Sequence, residues 1–153
     1  RDLVRSRGLG DVYKAAIGLI EVFSFLLIRK YCGGYHCQSS TACLIFSVII
    51  LIAIAWLSSF IKPSLYMFIA LIIADAELII KGPVISVNHS VSDSEKKYYH
   101  RCLIGILAVF NIIIITATAS HLYRTASCIS IVIIFCFISH IACMTEKNRK
   151  LYY

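Results

Sequence analysis

The sequence predicts an all-α integral membrane protein: a bundle of four clear transmembrane helices plus one ambiguous N-terminal helix, either membrane-embedded or interfacial. Three observations predict it. The chain has 153 residues, of which 59% are hydrophobic and 15% charged, against about 25% charged in ordinary soluble domains. The apolar residues fall into long blocks instead of being scattered. None of those blocks alternates apolar with polar residues as a membrane strand would, so only helices fit them.

The N-terminal element is the ambiguous one. Val12 to Ile28 is apolar enough to span but carries Lys14 and Glu21. Spanning pushes Arg1, Arg5 and Arg7 outside, against the positive-inside rule. An interfacial or re-entrant helix keeps them inside. Because Ile17 to Ile28 is almost wholly apolar on every face, a membrane-embedded helix is favoured. The chain starts with Arg1 and not Met, and its first residues do not resemble a signal peptide. Some N-terminal sequence is therefore expected to be missing from a single domain that otherwise runs over residues 1–153.

Residues 29–43, RKYCGGYHCQSSTAC, separate this element from the next. Gly33-Gly34 marks a turn or a close backbone approach. Gln38 to Thr41 supplies N-cap residues for the helix that follows. The four clear blocks are Leu44–Ile61, Leu65–Ile80, Leu103–Ala119 and Ala126–Met144. A spanning helix needs about 20 residues, in a range of about 17 to 25. The second block is short and holds Asp75 and Glu77, and Lys62 and Lys81 are expected to extend it by snorkelling. Ser92 and Glu95 fit a capping box, so a helix is expected to begin near Asp93 and run into the third block. Asn111, Thr116, Thr118, Ser130, Ser139 and His140 read as interhelical hydrogen-bonding groups. His89 and His100 read as solvated loop residues.

The net charge is +7. In a soluble chain this would point to nucleic acid, but here the basic residues lie between apolar blocks and report topology, so no nucleic-acid partner is expected. Arg29 and Lys30, then Lys81, Lys96, Lys97 and Arg101, then Lys147, Arg149 and Lys150 make nine on one side, against Lys62 and Arg124 on the other. The nine-residue side is read as cytoplasmic. The seven cysteines are read without a structural disulfide. Three lie in an apolar block, where cysteine behaves as a small hydrophobe, and four on the reducing side.

His36 and Cys43 are the candidate catalytic pair. Cysteine chemistry needs a thiolate, a base and donors for an oxyanion. In one regular helix, residues seven apart lie about 10 Å apart along the axis, beyond the roughly 3 Å of a hydrogen bond. His36 must therefore stand outside the helix of Cys43, which the glycine pair and the capping serines allow. If Ser39 or Ser40 caps that helix, Cys43 falls in its first turn, where free N–H groups and the dipole favour a thiolate. On spacing alone, a structural Cys and His is the weightier reading. A metal site from Cys32, His36, Cys37 and Cys43 lacks the usual ligand framework, so no metal or cofactor is expected.

The stretch Arg29 to His36, with Ser39-Ser40 and Cys43 after it, closely resembles the accessory gene regulator B family: a basic pair, a Gly-x-His, and a Cys seven residues after the His, just ahead of a membrane helix. Gly82-Pro83-Val84, Asn88-His89 and Ser94 to Lys97 look like that family's cytoplasmic loop. The resemblance implies a membrane cysteine endopeptidase of a Gram-positive bacterium, in the plasma membrane, multi-pass, with its active site facing the cytoplasm. Such enzymes cut a quorum-sensing propeptide near its C-terminal side through an acyl-enzyme thioester, and the product closes as a thiolactone or lactone. By position, Cys43 is the nucleophile and His36 the base, with Arg29, Gly34 and Ser40 in support. The implied partners are an amphipathic propeptide with an acidic tail, the lipid bilayer, and a second copy in a homodimer. Lys96, Lys97 and Arg101 are candidate contacts for the acidic tail. Asp75 and Glu77 are candidates for a third catalytic group, as carboxylates at membrane depth. The competing class is a small membrane transporter or assembly subunit without catalysis.

Overall fold

The computed structural model describes residues 2–32, 40–83 and 92–151. It has five helices, with no strand among the described residues: α1 (Asp2–Cys32), α2 (Ser40–Phe60), α3 (Leu65–Lys81), α4 (Asp93–Ala119) and α5 (Tyr123–Leu151).

The ambiguous N-terminal segment is part of one continuous helix of 31 residues. Its inward stripe is Ile17, Glu21, Ser24, Phe25, Ile28 and Cys32, three and four residues apart as a helix face requires. α3 buries Met67, Leu71, Ala74 and Leu78, and α4 buries Leu103, Leu107, Phe110, Ile114 and Ala117, with the same period. α5 differs. Thr125 to Ile133 are all buried, so this part of the helix is enclosed on every side. It packs against each of the other four, while α1 also touches α2 and α4, and α4 touches α3. The order around α5 is thus α2, α1, α4, α3. Ala126, Ser127, Cys128 and Ser130 explain the close fit, since small side chains let helix backbones approach.

Two helices, not the expected four, are long and apolar enough to cross a membrane among the described residues: Ser94–Ala119 of α4 and Tyr123–Thr145 of α5. The apolar part of α2, Leu44–Phe60, falls in the shorter class of 10–17 residues. α3 has 17 residues and carries Asp75 and Glu77. At 1.5 Å per residue, 17 residues reach about 26 Å, against about 30 Å of hydrocarbon.

The outer faces are apolar as well as the inner ones. Ile72 is 67% exposed, Ile80 79%, Ile112 61% and Ile115 65%. A water-facing surface would carry charge at these places, so this surface suits an apolar surround.

The connections from α2 to α3 and from α4 to α5 are short, and the helix ends described beside them are capped. Ser64 accepts from the Met67 N–H at 3.4 Å at the start of α3. α4 ends with Leu122 N–H bonding to Ala117 O at 2.8 Å and His121 N–H to Thr118 O at 3.2 Å. His121 has φ 59, so the turn is a Schellman cap with His in the left-handed place. At the start of α4, the Ser92 N–H donates to Glu95 Oε2 at 3.0 Å, as the expected capping box requires.

The interhelical reading of the polar residues divides. Asn111 ties α4 to Asp75 of α3, donating to Oδ2 at 2.8 Å. His140 of α5 bonds Gly82 O at 2.9 Å. Thr116, Thr118 and Ser130 instead donate to carbonyls of their own helix, Ile112, Ile114 and Ala126. A hydroxyl bonded back by one turn is satisfied without a neighbour. His100 is not a loop residue. It sits in α4, half-buried, with Nε2 2.8 Å from Ile79 O.

Candidate active site

One end of the bundle gathers the C-termini of α1, α3 and α5 and the N-termini of α2 and α4. Four contacts between elements define it: Arg29 with Ser47, Tyr31 with Tyr99, His100 with Ile79, and His140 with Gly82. Arg124 with Ser59, at 2.9 Å, marks the opposite end.

α2 begins at Ser40, and Cys43 is its fourth residue. The backbone of Cys43 therefore lies in the first turn, where the helix dipole is positive. Gly34 and His36 lie outside the described residues.

Arg29 occupies the last turn of α1 and is half-buried. Its Nη1 donates to Ser47 Oγ, one turn after Cys43 along α2. Its guanidinium lies 5.6 Å from the centre of the Phe25 ring, a distance at which ring and cation attract. Arg29 also lines a cavity of about 10 Å³ with Phe46, Ile50, Phe135, Cys136 and Ser139, space for about one water. The arginine is thus held from α1 and α2 and abuts α5. Ser47 escaped the sequence reading, although it is the lone strongly polar residue between Leu44 and Leu57.

Lys96, Lys97 and Arg101 are exposed on the first turns of α4. With Lys30 at the end of α1 and Lys81 at the end of α3, they give this end of the bundle a positive surface.

Asp75 and Glu77 lie on α3, which α1 and α4 separate from α2 around one side of the ring and α5 across its centre. Asp75 accepts from Asn111, and Glu77 Oε2 is 2.8 Å from Lys81 Nζ, an i, i+4 pair along α3. Neither is brought to the first turn of α2.

The end of α3 is held by two histidines. His100 and His140 reach the carbonyls of Ile79 and Gly82, groups that a helix C-terminus leaves free. Gly82 has φ 66, a conformation that side-chain-bearing residues adopt at a cost.

A second polar centre, missed in the sequence reading, lies deeper. Glu21 is 3% exposed. The Cys128 thiol points at its Oε2 from 3.8 Å, and Oε1 has no hydrogen-bond partner among the described residues. In the sequence this glutamate, with Lys14, left the helix undecided between spanning and interfacial. In the fold it faces α5.

The family model for accessory gene regulator B matches residues 15–142. No curated protein and no solved structure is significantly similar to the chain. The match covers α1 from Ala15 onward, all of α2, α3 and α4, and most of α5, and it takes in the 29–43 stretch whole. The chain belongs to the accessory gene regulator B family.

Proposed function

We propose that this protein is a cysteine endopeptidase embedded in a bacterial plasma membrane, cleaving a quorum-sensing propeptide near its C-terminal side and promoting closure of the product to a thiolactone or lactone. The family match over residues 15–142 carries the reading, because the family's role is accessory gene regulator quorum-sensing peptide processing. The place of Cys43 in the first turn of α2 supports it, since an N-terminal turn favours a thiolate and offers donors to an oxyanion.

In this mechanism His36 takes the thiol proton and Cys43 Sγ attacks the scissile carbonyl carbon. The carbonyl oxygen becomes an oxyanion. Its collapse breaks the C–N bond, and the departing amine takes the proton from His36, leaving a thioester on Cys43. A Cys or Ser side chain of the propeptide then gives its proton to His36 and attacks the thioester. The ring bond forms, and Cys43 leaves as thiolate. Transfer to a side chain in place of water needs a site that excludes water, and the end of an apolar bundle offers one.

Arg29, Gly34 and Ser40 support the geometry or contact substrate. Lys96, Lys97 and Arg101 meet the acidic tail of an amphipathic propeptide, on the cytoplasmic side of a multi-pass homodimer. Asp75 and Glu77 take no part in these steps, because Asn111 and Lys81 engage them.

The test is propeptide processing in proteoliposomes, comparing wild type with Cys43→Ala and Cys43→Ser. A truncated precursor and a cyclic peptide from wild type, and neither from the variants, supports the peptidase. Undiminished processing by Cys43→Ala removes it and favours a transporter or assembly subunit.

A further inference from the structure

The bundle is not closed between α1 and α4. A groove of about 550 Å³ runs along α1 from Ile20 to Tyr31 and along α4 from Cys102 to Ile113, floored by Ile129 of α5. Its walls are almost wholly apolar. The Ser24 hydroxyl is turned to its own helix, donating to Ile20 O at 2.6 Å. Gly105 leaves the groove wide, since a Cβ built there meets no atom within 4 Å.

The proportions of the groove limit its occupant. Each wall is about 16 Å long at 1.5 Å per residue. Counted up to the surrounding atoms, the space is about 1090 Å³, which over that length gives a mean cross-section of about 68 Å², against about 80–110 Å² for a helix 10–12 Å across. A helical segment would lie on the groove and not in it. A single file of methylenes fits.

The mouth of the groove has the chemistry of a headgroup level. The rings of Tyr31 and Tyr99 meet there with centroids 5.8 Å apart, and aromatic side chains of this kind sit at membrane interfaces. Lys30 Nζ lies 5.4 Å from the centre of the Tyr31 ring. Arg101, exposed, immediately precedes Cys102 of the wall. An apolar channel with Lys30 and Arg101 one residue from its last lining residues, Tyr31 and Cys102, complements one acyl chain and a phosphate.

We propose that the groove between α1 and α4 binds one acyl chain of an anionic phospholipid, with its phosphate held at Lys30 and Arg101. The site needs no peptidase activity, and its test does not read any.

The full chain is reconstituted in an equal mixture of phosphatidylglycerol and phosphatidylcholine, extracted in mild detergent, and weighed by native mass spectrometry. Wild type is expected to retain one phosphatidylglycerol per chain, favoured over phosphatidylcholine by about tenfold. Gly105→Phe fills the channel and is expected to lose both lipids. A thermal midpoint at or above that of wild type shows that this variant folds. Lys30→Gln with Arg101→Gln is expected to retain lipid without the headgroup preference. Three results overturn the proposal: equal retention of the two lipids by wild type, retention undiminished in Gly105→Phe, or a lipid-free dimer that Gly105→Phe dissociates. Displacement of the lipid by an added amphipathic propeptide that cross-links to Ile106 also overturns it, and makes the groove a peptide site.

Discussion

Arg29 of α1 donates to the hydroxyl of Ser47 on α2, one helical turn beyond Cys43. The bond joins the basic pair of the 29–43 stretch to the helix that carries its cysteine. It fixes how the end of α1 approaches the first turns of α2.

If that bond sets the guanidinium for propeptide cleavage, Ser47→Ala lowers kcat/KM by about 10- to 150-fold, the range for a hydrogen bond to a charged group. Ser47→Thr keeps the hydroxyl and most of the activity. The check is cleavage kinetics for both variants in proteoliposomes. Equal loss in the two would point to crowding at position 47 and not to the bond.

Asn111→Ala removes the donor that Asp75 Oδ2 accepts from and leaves a half-buried carboxyl without it. A loss of about 1–3 kcal/mol is expected, read as a lower midpoint on heating in detergent. Asp75→Asn in the same background recovers part of it, because a neutral amide costs less than a carboxylate in that place.

Glu21→Gln keeps the shape of the side chain and removes the buried acid. Its midpoint is expected to match or exceed that of wild type, since a neutral isostere of a buried ionisable group is often neutral or stabilising. Glu21→Lys puts a longer cation against Cys128 and is expected to prevent folding. Protease sensitivity of the two variants in membranes distinguishes them. A fall in stability for Glu21→Gln would mean that the carboxyl itself is required there.

Gly82→Ala places a side chain at φ 66 beside the ring of His100, whose nearest atom is 3.8 Å from the added Cβ. Space is not the obstacle. The backbone conformation is, and about 1–2 kcal/mol of destabilisation is expected. His140→Phe removes the partner of Gly82 O and lowers the same midpoint. The double variant is expected to lose less than the two single losses together, because both act on one helix end.

The helices from Ser40 onward were legible because runs of apolar residues and the charges between them are local properties. Leu65–Ile80, for instance, is α3 less its final lysine. The capping box at Ser92 was legible for the same reason, being written in four consecutive residues. What was not legible depends on neighbours distant in sequence. Lys14 and Glu21 left the first helix undecided between spanning and interfacial, and nothing local says that Glu21 meets Cys128, 107 residues on. The hydroxyls of Thr116 and Thr118 were assigned to other helices, although a helix offers them its own carbonyls one turn back. Four spans were counted on apolarity, and 17 residues proved too short in α3. At the candidate site, Cys43 in a first helical turn followed from the serines before it. Ser47 as the partner of Arg29 did not, because a lone serine in an apolar run carries no mark of what it meets.

The central position of α5 has a consequence for biosynthesis. The other four helices pack on it, yet it is the last of the five to leave the ribosome. Until it arrives, the nascent chain holds four helices without the one that all of them pack on, and Glu21 has no thiol opposite it. The bundle is therefore completed in a single late step. A chain stopped before Tyr123 is a set of helices awaiting a keystone, and such a fragment would be an early target for quality-control proteases.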